Sequence, residues 1–139
     1  MIIDAKDLIV GRLATFVAKQ ALLGNEVRII NSEKAVVSGK KKMVFDEALY
    51  WVERGTPRKG PFIHRSPERL LRRIIRGMLP HDKAKGREAY KRVLCYIDVP
   101  DEFKDKKAIT VEGANKSKLP GLKFVTMHDI AKRIGAKIE

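Results

Sequence analysis

The chain has 139 residues, and 30 Lys and Arg against 17 Asp and Glu leave a formal charge of +13. An apolar fraction of 44% supplies a core for one domain, 1–139, and excludes wholesale disorder. No apolar stretch approaches the ~18–20 residues that span a bilayer, Asp4 and Asp7 stand where the cations of a leader would lie, and the lone Cys95 excludes an intrachain disulfide or a cysteine zinc ribbon, so a reducing cytoplasm is expected.

Met1–Asp4 opens apolar and β-branched and reads as a strand. Residues 11–23 carry Leu13, Ala14, Val17, Ala18 and Ala21 on one stripe of a helix that Gly24-Asn25 stops. Glu26–Asn31 reads as a second strand, parallel to the first through a right-handed crossover. After a turn at 31–34 and a short extended piece at 35–37, a helix is expected over 40–53. Its apolar face is Val44, Phe45, Ala48, Leu49, Trp51 and Val52, which places Trp51 and Phe45 in the core. Thr56–Arg65 is a loop with two prolines and one glycine. Ser66 and Pro67 fit the N-cap and first turn of the next helix, which Gly77 and Pro80 close. Asp82 can cap a basic helix over about 83–93, and strands are expected at 93–97 and 108–112. Thr126 with Asp129 resembles a capping box, with Val125 and Ile130 as its apolar staple, for a last helix at 127–134. Strands alternating with helices indicate an α/β domain.

The positive charge is segregated. Residues 54–92 hold thirteen Lys and Arg against three acids, a balance of +10, which leaves +3 for the other hundred residues. Such a run repels itself unless a polyanion neutralises it, and nucleic acid is the first candidate. On the helix after Pro67, Leu70, Leu71, Ile74, Ile75 and Met78 share one stripe, and Arg69, Arg72, Arg73 and Arg76 share the other side. Guanidinium groups bind phosphate through paired hydrogen bonds that lysine cannot make. A helix that docks on a core and offers a row of phosphate ligands follows. The bland alternatives are a surface helix paired with distant acids and an amphipathic membrane-surface helix, although interfacial aromatics are missing from its apolar side.

Catalytic constellations fail residue by residue. Ser38-Gly39-Lys40 echoes a phosphate-binding loop, but Lys34 stands where the first glycine is required and Lys41 where Ser or Thr is required. His64, His81 and His128 have no metal-ligand spacing, and Cys95 lies within a strand as a small hydrophobe. No nucleophile–base pair, metal or cofactor is indicated. Phe62 is the one aromatic placed to stack on a base. Two other classes remain open: a small RNA-processing or nucleotide-binding α/β enzyme, which needs acids or histidines gathered beside the basic loop, and a DNA-binding architectural protein, for which helix-turn-helix spacing is lacking.

The opening IIDAKDLIVGRLATFVAKQALLGNEVRIINSEKAVVSG resembles the N-terminal part of the large ribosomal subunit protein 13 family. RGTPRKGPFIHRSPERLLRRIIRGMLPHDKAKGREAYKRVLCYIDVP resembles its basic centre, most specifically in GMLP at Gly77–Pro80 and the Gly86-Arg87 pair. PFIHRSP is similar to the archaeal and eukaryotic branch. The likeness covers about residues 1–100 and is loose beyond. It implies a three-layer α/β/α sandwich around a small, largely parallel four-stranded sheet, with a basic loop-plus-helix extension. It also implies a structural and assembly role in the large ribosomal subunit, with rRNA and neighbouring ribosomal proteins as partners and neither a membrane nor a small-molecule substrate. The expected rRNA-binding residues are Lys40, Lys41 and Lys42 at a helix N-terminus; Arg54, Arg58, Lys59, Phe62, His64 and Arg65 in the loop; Arg69, Arg72, Arg73 and Arg76 on the helix; and Lys83, Lys85, Arg87, Lys91 and Arg92 after it.

Overall fold

The computed structural model describes residues 1–121 and 123–137. Three strands, β1 (Ile2–Asp4), β2 (Val27–Ile30) and β4 (Val93–Cys95), form a parallel sheet in the order β1-β2-β4. Helix α1 (Val10–Leu22) makes the crossover from β1 to β2, with Leu13, Ala14, Val17 and Ala21 fully buried, as their spacing requires. Along the strands Ile3, Val27, Ile29 and Val93 are fully buried while Ile2, Arg28 and Leu94 between them are half-buried. The sheet therefore has one dry face.

The α/β class and the parallel sheet are as expected, with one strand fewer. Residues 108–112 contribute a single parallel bridge beside β1, in which the amide of Asp4 donates to the Ile109 carbonyl at 3.0 Å and that of Ile109 to the Ile2 carbonyl at 2.9 Å. The chain then turns into 3-10 helices at Glu112–Ala114 and Lys116–Lys118, so the ladder is never extended. A second, unforeseen pairing joins β3 (Val36–Ser38) to β5 (Phe124–Thr126) as an antiparallel ribbon. It carries α5 (Met127–Arg133), whose N-terminus is capped as expected: Thr126 Oγ1 accepts from the Asp129 amide at 3.2 Å. At the two other expected caps the side-chain bond is missing, although Ser66 takes the N-cap position of the next helix with Pro67 in its first turn, as expected. Neither Ser66, before α3 (Pro67–Gly77), nor Asp82, before α4 (Ala84–Lys91), hydrogen-bonds a helix amide, and Lys83 takes the N-cap position of α4.

Helix α3 is no extension of the fold. Leu71 and Ile75 are completely buried in the same cluster as Leu13, Ile29 and Val93, and α3 touches α1, β4 and α5. Its apolar stripe divides accordingly. Leu71 and Ile75 enter the core, Leu70 and Ile74 border a cavity of about 400 Å³ with Ala48, Trp51 and Ile130, and Met78 is 43% exposed. Helix α2 (Lys41–Glu53) buries no residue fully, so its expected core face is only a half-buried wall of that cavity. The turn from α3 to α4 is tied down by Gly86. A Cβ there would lie 1.9 Å from the Pro80 carbonyl oxygen, which is why the GMLP turn is followed by a glycine six residues on.

Candidate nucleic-acid interface

The segment 54–92 supplies its charges from three settings. In the loop, the amides of Thr56 and Gly60 donate to each other's carbonyls at 3.2 and 3.0 Å, and Thr56 Oγ1 accepts from the Lys59 amide at 3.1 Å. This tight turn leaves Arg58 and Lys59 exposed at its tip, and Phe62 is 75% exposed. Arg65, also exposed, lies with its guanidinium beside Gly135 after α5.

On α3 the arginine row divides. Arg69, Arg73 and Arg76, with His64, Arg72 and Tyr90, border an open concavity of about 480 Å³. Arg69 Nη1 is 3.4 Å from His64 Nδ1. Arg72 departs from the expected row: its Nε donates to the Val93 carbonyl at 2.8 Å, its Nη2 to that of Tyr90 at 3.3 Å, and its guanidinium sits 4.0 Å from the Tyr90 ring centroid. It fastens α3 to α4 and β4, forming the floor of the concavity instead of its rim. The cause is its position on the helix, one residue past the buried Leu71, which aims it along the sheet edge.

The third setting is α4 and its flanks. Lys83, Lys85 and Lys91 are exposed. Arg87 Nη1 donates to the Asp82 carbonyl at 3.1 Å, and Arg92 Nη1 to the Ala21 carbonyl at 2.8 Å, a second bond to a carbonyl at the C-terminal end of α1 that also accepts from the Gly24 amide. Arg92 is thus a partly buried structural tie as well as a charge. Lys40, Lys41 and Lys42 are exposed but lie at the opposite end of α2 from Arg54.

Among the described residues, no Lys or Arg of 54–92 forms an ion pair within 4.0 Å; the three ion pairs present join Arg28 to Glu26, Lys104 to Asp101 and Lys116 to Asp7. Glu68, the one acid on α3, has a buried oxygen with no hydrogen-bond partner and forms no ion pair with any of them. The surface helix paired with distant acids is therefore set aside.

Two aromatics were misplaced by periodicity. Trp51 is 47% exposed and packs edge-on against Tyr50, 60% exposed, with ring centroids 5.9 Å apart. The Arg54 guanidinium lies 5.4 Å from the Trp51 centroid and 5.8 Å from that of Tyr50. The three stand at the mouth of the loop, and their i, i+3 and i, i+4 spacing to Arg54 was the available signal. Phe45 is likewise only half-buried, under Lys41 Nζ at 5.5 Å from its centroid.

Cys95 does not offer a nucleophile. Burial pushes its thiol up to about 12, with Arg72 pulling the other way and Glu68 adding to the rise, so the thiolate is negligible at neutral pH. Among the described residues no three His, Cys, Asp or Glu gather as a metal site, and no helix is long and apolar enough to cross a membrane.

The sequence model of the family described as ribosomal protein L13 matches residues 1–102. The chain is 43% identical over 136 residues to the large ribosomal subunit protein uL13 of Methanococcoides burtonii, covering 98% of both chains. It is 42% identical over 137 residues to that of Methanosarcina barkeri, again with 98% of each covered. To that of Methanopyrus kandleri it is 41% identical over 136 residues, covering 96% of this chain and 86% of the relative. The likeness to archaeal relatives thus runs through the C-terminal forty residues that the sequence motifs matched only loosely, and the chain belongs to the ribosomal protein L13 family.

Proposed function

We propose that the chain is a structural component of the cytoplasmic large ribosomal subunit that binds its rRNA by charge neutralisation, supports subunit assembly beside neighbouring ribosomal proteins, and performs no catalysis. The observation that carries this is the concavity of Arg69, Arg73 and Arg76, which His64 of the loop also borders; these three arginines and the exposed loop cations Arg54, Arg58, Lys59 and Arg65 have no ion-pair partner among the described residues. Unpaired guanidinium groups held within one concavity repel each other until an anion enters, and a phosphodiester backbone supplies anions at that density. The outward charges of Lys83, Lys85, Arg87 and Lys91 extend the footprint, and Phe62, Tyr50 and Trp51 add π-faces for stacking on unpaired bases. Arg72 and Arg92 contribute positive potential and hold the frame.

Titration of the full chain with large-subunit rRNA fragments at several salt concentrations tests the reading. The slope of log K against log salt flattens by about 0.7–0.9 for each of Arg69, Arg73 and Arg76 changed to Ala, equally for cognate and unrelated RNA. An unchanged slope across the series overturns it.

A further inference from the structure

We infer that the apolar groove between α2 and α3 is the docking site for an acidic amphipathic helix of a neighbouring protein; this rests on the proposed place in the large subunit, and adds where on the chain a protein partner seats and what chemistry that partner carries.

Of the five α-helices described, α2 alone buries no residue fully. It rests on α5 and β5. Its inner side faces α3 across the open groove of about 400 Å³, where Ala48, Trp51 and Val52 stand opposite Leu70 and Ile74 over a floor that includes Ile130. The walls are half-buried, so apolar surface on both helices is still in contact with water.

The charges around the groove define its occupant. No carboxylate borders it among the described residues, and Arg73 is the one charged side chain that does. Arg73 Nη1 lies 3.9 Å from where a Cβ on Gly77 would stand, toward the C-terminal end of α3. At the other end of α3, the Arg65 guanidinium lies beside Gly135, one residue past Ile134 of the groove wall. Neither arginine has an ion-pair partner among the described residues. The 11 residues of α3 set these two cations about 15 Å apart. An apolar trough flanked at both ends by guanidinium groups is complementary to an apolar segment with a carboxylate at each end.

A helix meets that demand, with apolar anchors every three to four residues and acids about ten residues apart. Other anions do not. Nucleobases would leave their polar edges unpaired against aliphatic walls, and a fatty acid has one head group for two cations. Arg73 also borders the concavity proposed for RNA, and the several donors of its guanidinium let it serve both. The bound helix closes the inner side of α2 from solvent.

Trp51, the chain's single tryptophan, reports occupancy through its emission. The full chain is titrated with two tryptophan-free helical peptides of about 15 residues, which share one apolar face and carry either Glu or Lys at both ends of it. The Glu peptide shifts Trp51 emission to the blue and binds about tenfold tighter than the Lys peptide. R65E/R73E reverses the preference, which separates charge from damage to the fold. A48F, which fills the groove, abolishes the shift while RNA affinity and its salt slope stay as in the unaltered chain; if the fill unfolds the chain, the charge reversal alone decides. Equal affinity for the two peptides, or a preference that R65E/R73E leaves unchanged, overturns this inference. So does oleate binding more tightly than the Glu peptide, or a folded A48F chain that loses RNA together with the peptide, since the groove then belongs to a lipid or to RNA. A salt slope unchanged in R69A and R76A overturns the RNA reading instead, whatever the peptides do.

Discussion

The loop 54–65 and helix α3 hold four and four Lys or Arg, and they could scarcely be anchored more differently. In the loop every residue is exposed except Gly60 and Ile63, and its backbone hydrogen bonds close on its own turn. In α3, Leu71 and Ile75 lie in the centre of the core, and Arg72 is fixed by two carbonyls and a ring. Charge density therefore marks a surface suited to an anion and says nothing about what the segment contributes to folding. Under the proposed function the loop would adapt to RNA, whereas α3 would present its guanidinium groups from a rigid frame, at less entropic cost.

The comparison breaks most directly at the apolar contacts. Leu71→Ala or Ile75→Ala is expected to lower unfolding free energy by about 2–5 kcal/mol, while Phe62→Ala changes it by less than about 0.5 kcal/mol. Equilibrium urea denaturation reads both, and equal effects would mean that the loop is part of the core. Glycines sharpen the contrast. A Cβ at Gly86 meets the Pro80 carbonyl oxygen at 1.9 Å, and one at Gly55, where φ is +88°, meets that of Gly60 at 2.0 Å. Gly86→Ala forces apart the α3–α4 turn and should cost about 1–3 kcal/mol or more. Gly55→Ala should reshape only the loop, leaving the melting temperature within a few degrees while RNA affinity falls.

Within α3 the arginines should separate into two classes. Arg72→Ala removes two hydrogen bonds and a ring contact and is expected to destabilise by about 1–3 kcal/mol. Arg69→Ala, Arg73→Ala and Arg76→Ala should each stay within about 0.5 kcal/mol and act on the salt slope instead. Thermal melts beside RNA titrations distinguish the classes.

The last effect is absent at neutral pH and confined to the alkaline range, at Cys95. Its thiol titrates near 12 in the fold against 9.0 in an open chain. Between those values the unfolded chain has lost the proton that the folded chain keeps, so stability present below pH 9 declines as pH rises toward 12. Cys95→Ala should remove that part of the alkaline decline, as urea midpoints measured from pH 8 to 11 would record.

Local pattern was enough for much of this molecule. The β1–α1–β2 unit, the buried stripe of α1, the Thr126 cap of α5 and the segregation of charge into 54–92 each depend on residues a few positions apart, where periodicity and capping chemistry operate. The family resemblance was carried by the same short runs, GMLP and Gly86 among them. What depends on the partner surface was decided by the tertiary structure. Trp51 and Phe45 have helical spacing for a core, yet α5 and β5 cover α2 only in part and bury none of its residues fully. Arg72 has the same local context as Arg73, yet the Val93 and Tyr90 carbonyls lie within its reach alone. Residues 108–112 have strand composition, but a ladder needs an aligned partner edge, and the chain turns away after Ile109. Helical and strand periods record which way a side chain points along its own element, and only the packed neighbours determine what it meets there.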